Sequence, residues 1–327
     1  MAIIGVTARQ DGLAAADGDP LDAALAPALA ALAPRAPIVV LVHGYKFSPD
    51  RPADDPHRSL YAARPAEASW KVPSWPAGLG FDPDDASGGL CVGFAWNAVE
   101  PLLASLLATR RSGFARVYDR AGETGLHLAA LLRRIALLAP GRNVDVLAHS
   151  LGARVALAAL PHVEVAPGRM VLLGAAEFDA RAREALDACR APRKPAVYNV
   201  TARANDAYDL AFETFAPRRG WGERALGLGL RTPPPCWLDL QLDRADVTDW
   251  INAQGVALRQ AEARLCHWSF YTRPGAFEVY QAILRRRPGW DVGSLRAALA
   301  FATQEPRWSR FARRPAGVPH GFGLGRA

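Results

Sequence analysis

The chain has 327 residues, half of them hydrophobic, with 39 Lys and Arg against 32 Asp and Glu. This length and apolar content allow one large domain, or two small ones, with a sizeable core, and exclude extended disorder. The formal net charge of +7 comes almost wholly from arginine; the only lysines are Lys46, Lys71 and Lys194. The arginines are scattered, apart from Arg285-Arg286-Arg287 and the tail residues Arg307, Arg310, Arg313, Arg314 and Arg326. No aromatic-interleaved basic motif accompanies them, so they read as a solvated surface, and no nucleic-acid partner is expected.

Four cysteines, Cys91, Cys189, Cys236 and Cys266, show no CxxC or Cys/His metal spacing. Free thiols in a reducing compartment are the expectation. The first ten residues lack a basic region followed by an apolar one, so no signal peptide is expected. No apolar run reaches the length of a membrane span. The expected location is the cytoplasm, with no transmembrane segment.

In chain order, residues 2–8 read as a short strand, 11–20 as a loop and 21–33 as an Ala/Leu helix stopped by Pro34 and Pro37. Ile38–Val42 is an apolar run without alternation, as in a strand buried on both faces. It leads into His43-Gly44-Tyr45. Residues 46–89 form a long, proline-rich segment with weak helical character near 58–68. Leu90–Trp96 is a strand, 101–107 a short apolar helix, and 114–139 a long helix with Leu128, Leu131, Leu132, Ile135 and Leu138 at helical spacing. Strands at 144–148, 170–174 and 196–201 alternate with helices at 152–160 and 180–189. A loop-rich stretch covers 213–235, Trp237–Leu242 alternates like an edge strand, and 274–286 is a helix opened by proline. The tail from 304 is rich in Pro, Gly and Arg. The pattern predicts one α/β domain over 1–303, with a core at 36–290, about seven mostly parallel strands and helices on both faces. Long loops stand in place of a large cap.

One corner organises the chain. Val144–Ala148 is β-rich, Gly152–Leu160 is an Ala/Leu helix, and His149-Ser150-Leu151 joins them. A strand turning sharply into a helix strains the corner residue and pushes its side chain outward. Small residues two before (Ala148) and two after (Gly152) let strand and helix approach. Ser150 is therefore a candidate nucleophile. In an open parallel sheet ligands bind beyond the carboxyl ends of the strands. Those ends carry His43-Gly44-Tyr45, His149-Ser150-Leu151, Glu177 and Asp179, and Asn205-Asp206, with His267 following later.

With these residues in hand, the chain resembles the α/β-hydrolase superfamily over roughly 36–290. The carriers are His43-Gly44-Tyr45, Ala148-His149-Ser150-Leu151-Gly152, Asp206 after a later strand, and His267 last. The order Ser–Asp–His is the order that family uses. Ala148 stands where the usual motif has its first glycine. The resemblance points to a poorly characterised bacterial branch with HGY and AHSxG motifs.

It implies roles. A serine hydroxyl needs a neighbouring base, assigned to His267, and that base needs an acceptor, assigned to Asp206. Asp209 and Asp179, with Glu177 beside it, are alternative acids. His320 is the alternative base. The oxyanion donors are the Leu151 N–H, at a helix N-terminus, and the Tyr45 N–H. His43, Gly44, His149 and Gly152 support these turns, and neither histidine is expected to carry the proton. Cys266 adjoins His267, but sequence neighbours seldom face each other, so a Cys–His pair is not expected. Trp70, Trp75, Trp96, Trp221, Trp237, Tyr45, Phe47 and Trp268 are placed on or near the rim, with the segments 46–89 and 213–235 as pocket walls.

The expected activity is hydrolysis of a carboxylic ester with an apolar group, through an acyl-enzyme intermediate, with no metal and no organic cofactor. A lipid-like ester or thioester is a narrower version. The same triad serves acyltransferases and peptidases. The contrasting expectation is a non-catalytic binding or scaffold protein of the same fold, which would show a blocked or absent triad.

Overall fold

The unbroken apolar runs become the centre of one sheet. The structure, a computed structural model, describes residues 2–65, 71–85, 87–100, 113–260 and 262–312. Trp70, the helix expected at 101–107, His320 and the tail beyond 312 lie outside the described residues. Ile38–Val42 (β3), Leu90–Ala95 (β4), Val144–His149 (β5) and Arg169–Leu173 (β6) are buried at every position. A strand covered on both faces needs no polar alternation, which is why these runs show none. Ile3–Arg9 (β1) and Gly12–Ala15 (β2) extend one side, and Ala196–Thr201 (β7) and Trp237–Gln241 (β8) the other. The order is β2-β1-β4-β3-β5-β6-β7-β8, parallel except for the β1–β2 hairpin.

Helices cover both faces. Helices Leu21–Ala30 (α1), Gly113–Leu138 (α3), Leu151–Ala159 (α4) and Asp179–Ala188 (α5) pack over Val40, Val42, Val146 and Leu172. The other face, with Val39, Leu41, Leu147 and Val171, is covered by Trp75–Gly78 (α2), Ala245–Ala253 (α7), Ser269–Thr272 (α8), Ala276–Leu284 (α9) and Val292–Ala298 (α10). Each aliphatic side chain so buried contributes roughly 1.5–3 kcal/mol. Among the described residues no helix is long and apolar enough to cross a membrane, and all four cysteines are free.

The topology selects one place for a site. From β3 the chain moves outward to β4, then returns past β3 to β5 and runs the other way. Val42 pairs with Ala148, so the carboxyl ends of β3 and β5 open side by side at this reversal. Such a switch point leaves a crevice above the sheet. Gly44 and Ser150 lie immediately beyond it.

Several expectations are corrected. The segment 11–20 is not all loop, because β2 forms a hairpin with β1 and adds an eighth strand to the about seven expected. Four small or apolar residues at a sheet edge leave no periodic signal. Residues 56–64 form turns and bends rather than a helix. Five further helices were not anticipated: α2, α7, α8, α10 and Asp206–Phe215 (α6). The segment 304–312, expected as tail, ends in a short helix, Ser309–Ala312 (α11), and packs on the body. There Glu305 N donates to Gln241 Oε1 at 2.8 Å, and Arg307 meets the Glu213 carboxylate at 2.8 Å.

Candidate active site

The corner at residue 150 has the strained geometry the sequence predicts. Ser150 adopts φ 56° and ψ −122°, a region in which side chains other than glycine cost about 1–3 kcal/mol. Its neighbours hold it there. Ser150 N donates to Leu173 O at 3.0 Å, and Ser150 O accepts from Ala153 N at 3.0 Å and Ala176 N at 3.1 Å. Gly152 is required by close approach, since a Cβ there would run into the carbonyl oxygens of Val42 and His43. Gly44 is required from the other side, since its Cβ would lie 2.7 Å from Ser150 Cβ.

The turn after β3 is fixed just as firmly. Trp96 N donates to His43 Nε2 at 3.1 Å, and His43 Nδ1 lies 2.9 Å from Gly44 O, so Nδ1 carries the proton. Trp96 Nε1 donates to His43 O at 3.1 Å, and the two rings stack 5.7 Å apart. Tyr61 OH accepts from His43 N at 2.6 Å and donates to Phe94 O at 3.1 Å. Burial pushes His43 down to about 3, so it stays neutral and structural. Lys46 N bonds to Ala98 O and Ala98 N to Phe47 O, tying the turn to the end of β4. Tyr45 N–H and Leu151 N–H find no acceptor among the described residues. Both are donors available to an anionic oxygen.

His267 comes to this place through a loop anchored by Cys266 N donating to Ala204 O at 2.8 Å. His149 Nε2 lies 3.3 Å from His267 O, and the two rings are 4.5 Å apart. His149 is buried and held well below the usual histidine range, so it supports the His267 backbone as a neutral ring. Tyr208 stacks on the His267 ring at 4.8 Å. His267 Nδ1 lies 2.7 Å from Asn205 Oδ1, so Nδ1 donates and Nε2 is left unprotonated. Burial lowers His267 to about 4.

The acceptor is thus Asn205, where the sequence predicted Asp206. Asp206 opens α6 with its carboxylate turned away; it accepts from Trp308 N at 2.6 Å and pairs with the buried Arg203 at 3.3 Å. Successive helical residues project about 100° apart, so Asn205 and Asp206 cannot share a face, whereas Asn205 and Asp209 do. Asn205 Nδ2 donates to Asp209 Oδ1 at 2.9 Å. Asp179 is taken up by Arg224 at 3.2 Å and Arg231 at 3.3 Å, and Glu177 by Tyr118, Arg154 and its neighbour's amide. Among the described residues no carboxylate hydrogen-bonds to His267.

Ser150 and His267 line one cavity of about 730 Å³ together with Tyr45, Asn205, Asp209 and Trp268. Its walls include the aromatic side chains of Phe114, Phe212 and Phe215, and Lys46 and Lys71 also line it. Of the other aromatics placed at the rim, Phe47 lines the cavity, Trp75, Trp96 and Trp237 are core, and Trp221 is fully exposed. The segment 46–89 does supply wall residues; 213–235 supplies Phe215 alone, its expected place being taken by α6. A larger cleft, about 930 Å³, opens at the amino ends of β3 and β5, where Arg142 and Arg285 bond to loop carbonyls and Arg286 to Asp145. It contains none of these groups. Among the described residues no three His, Cys, Asp or Glu side chains gather as metal ligands would.

Comparison with protein-family models finds no match, and no curated protein matches the chain.

Proposed function

We propose that the chain is a serine hydrolase of the α/β-hydrolase type, acting on a carboxylic ester with an apolar acyl group. The observation that carries this reading is Ser150, held at φ 56° on the same cavity as a histidine whose Nδ1 is already bonded. His267 Nε2 takes the Ser150 proton as Oγ attacks the ester carbonyl. The carbonyl oxygen becomes anionic and is met by the N–H groups of Tyr45 and Leu151. Collapse of the tetrahedral intermediate expels the alcohol, which receives the proton from His267. A water then attacks the acyl-enzyme by the same route, releasing the acid and restoring Ser150. The aromatic walls favour an apolar acyl group.

One observation favours a second reading, a non-catalytic binding protein: an amide rather than a carboxylate meets His267. A single experiment separates the two. A fluorophosphonate probe labels Ser150 and not Cys266, and Ser150→Ala abolishes turnover of a short p-nitrophenyl ester. Absence of labelling in folded protein sinks the hydrolase reading.

A further inference from the structure

An asparagine facing a catalytic histidine poses a problem that an aspartate does not. Both carboxylate oxygens accept, so either can face the imidazole N–H. An amide has an accepting end and a donating end of nearly the same shape. With Oδ1 toward His267, Nδ1 keeps its proton and Nε2 is a base. With Nδ2 toward His267, Nδ1 must accept, the proton sits on Nε2, and that nitrogen is no longer a base.

We infer that Asp209 is the positioning residue that resolves this choice: its carboxylate accepts a hydrogen bond from the Asn205 amide and so turns Oδ1 toward His267. This rests on the hydrolytic reading only for its effect on rate. A carboxylate can only accept, so the 2.9 Å bond fixes which end of the amide faces it. The other end then meets His267 at 2.7 Å. The spacing of four residues along α6 puts both side chains on one helical face. A charge-assisted bond of this kind contributes about 1.5–3 kcal/mol, a preference of roughly ten- to 150-fold for one orientation.

The surroundings are built around the carboxylate. Asp209 is 3% exposed, and Oδ2 has no hydrogen-bond partner among the described residues. Gly227 packs directly against it, and a Cβ there would occupy the place of Oδ2. Burial pushes Asp209 up to about 7; Arg203 and Arg307 pull it down, and Asp206 and Glu213 push it up. A protonated Asp209 has a donor as well as acceptors, so it no longer dictates the amide's orientation.

The test reads the tautomer directly. Nitrogen-15 histidine spectra of the full chain, with His267 assigned by loss of its signals in His267→Gln, report which ring nitrogen carries the proton. At pH 8.5 the wild type shows the Nδ1–H form, and Asp209→Asn, whose amide accepts either orientation, shows the Nε2–H form at half or more. The double variant Asn205→Asp/Asp209→Asn returns to Nδ1–H, because a carboxylate now faces the ring. On lowering the pH to 5.5 the Nε2–H form grows in the wild type, a change read within the unaltered chain, and does not grow in the double variant. In turnover, Asp209→Asn lowers kcat at least twofold with KM unchanged, and the double variant recovers it. Folded Asp209→Asn with the wild-type tautomer, or a wild-type tautomer indifferent to pH, overturns the inference. If the tautomer obeys Asp209 but the probe never labels Ser150, the hydrolytic reading fails and the positioning role stands.

Discussion

Asn205→Ala is expected to slow turnover of a p-nitrophenyl ester substantially, and Asp206→Asn to leave it near the wild-type rate. The two residues are adjacent, and only one touches the base. Asn205 Oδ1 accepts from His267 Nδ1 at 2.7 Å. In the proposed acyl transfer the imidazole would become imidazolium, and this bond would become one to a charged donor. Such bonds contribute about 1.5–3 kcal/mol, which corresponds to a loss of roughly ten- to 150-fold in kcat. Asp206 instead binds Trp308 N at 2.6 Å and faces Arg203, both side chains fully buried. Neutralising it leaves a buried guanidinium without its counter-charge, at about 3–5 kcal/mol of stability.

The assay normalises initial rates to the amount of probe-labelled Ser150, so that unfolded protein does not count, and urea unfolding supplies the stability. Asn205→Ala should be slow and stable, Asp206→Asn fast and unstable. The opposite pairing, with folded Asp206→Asn losing its rate and Asn205→Ala keeping it, would refute the assignment and restore Asp206 as the triad acid.

Two further outcomes follow from the same site. Gly152→Ala drives a methyl into the Val42 and His43 carbonyls, so the free energy of unfolding should fall by about 1–3 kcal/mol, and probe labelling of the remaining folded protein should slow. Acid should destabilise the fold through His43, which is held at about 3 while its unfolded value is 6.5. The unfolded chain takes up this proton and the native one does not, so stability falls as pH drops below about 6.5, by about 1.4 kcal/mol per pH unit. Asp145, raised to about 6, and Asp209, raised to about 7, act in the opposite sense. The His43 contribution is therefore read as the difference between wild type and His43→Gln in urea at pH 7, 5.5 and 4.5, and parallel curves would contradict it.

Much of this was legible because it is written in strong local patterns. The run Ile38–Val42 and the corner Val144–Leu160 state their conformations in unbroken apolar stretches, and strand 196–201 and the edge strand from Trp237 sit where the sequence predicts. The serine, both turns and the last histidine followed from those boundaries. What was not legible is what tertiary contact decides. The hairpin strand β2 has four residues and no alternation, and it exists because β1 offers an edge. Helix α6 begins at Asn205-Asp206, a pair that reads as a turn, and it is held by a chain segment one hundred residues later, through Trp308 and Arg307. The i, i+4 spacing of Asn205 and Asp209 was the one available signal, and it has meaning only once that segment is known to be a helix.

That unread helix alters the chemistry more than the fold. Had Asp206 faced His267, a carboxylate would have both set the tautomer and stabilised the imidazolium. An amide sets the tautomer and supplies a dipole, not a charge. The consequence is visible in the base itself, which burial alone lowers to about 4 with no carboxylate to raise it. On the hydrolytic reading a base so weak would accept the serine proton reluctantly, and the negative oxygen on the substrate would need more stabilisation from the rest of the site. On the proposed reading the N–H groups of Tyr45 and Leu151 would meet it, in turns held by two glycines, a buried Tyr61 hydroxyl and a neutral His43. The rigidity of the turn after β3 and the missing carboxylate are two sides of one arrangement, in which preorganised donors rather than a charged triad would lower the barrier.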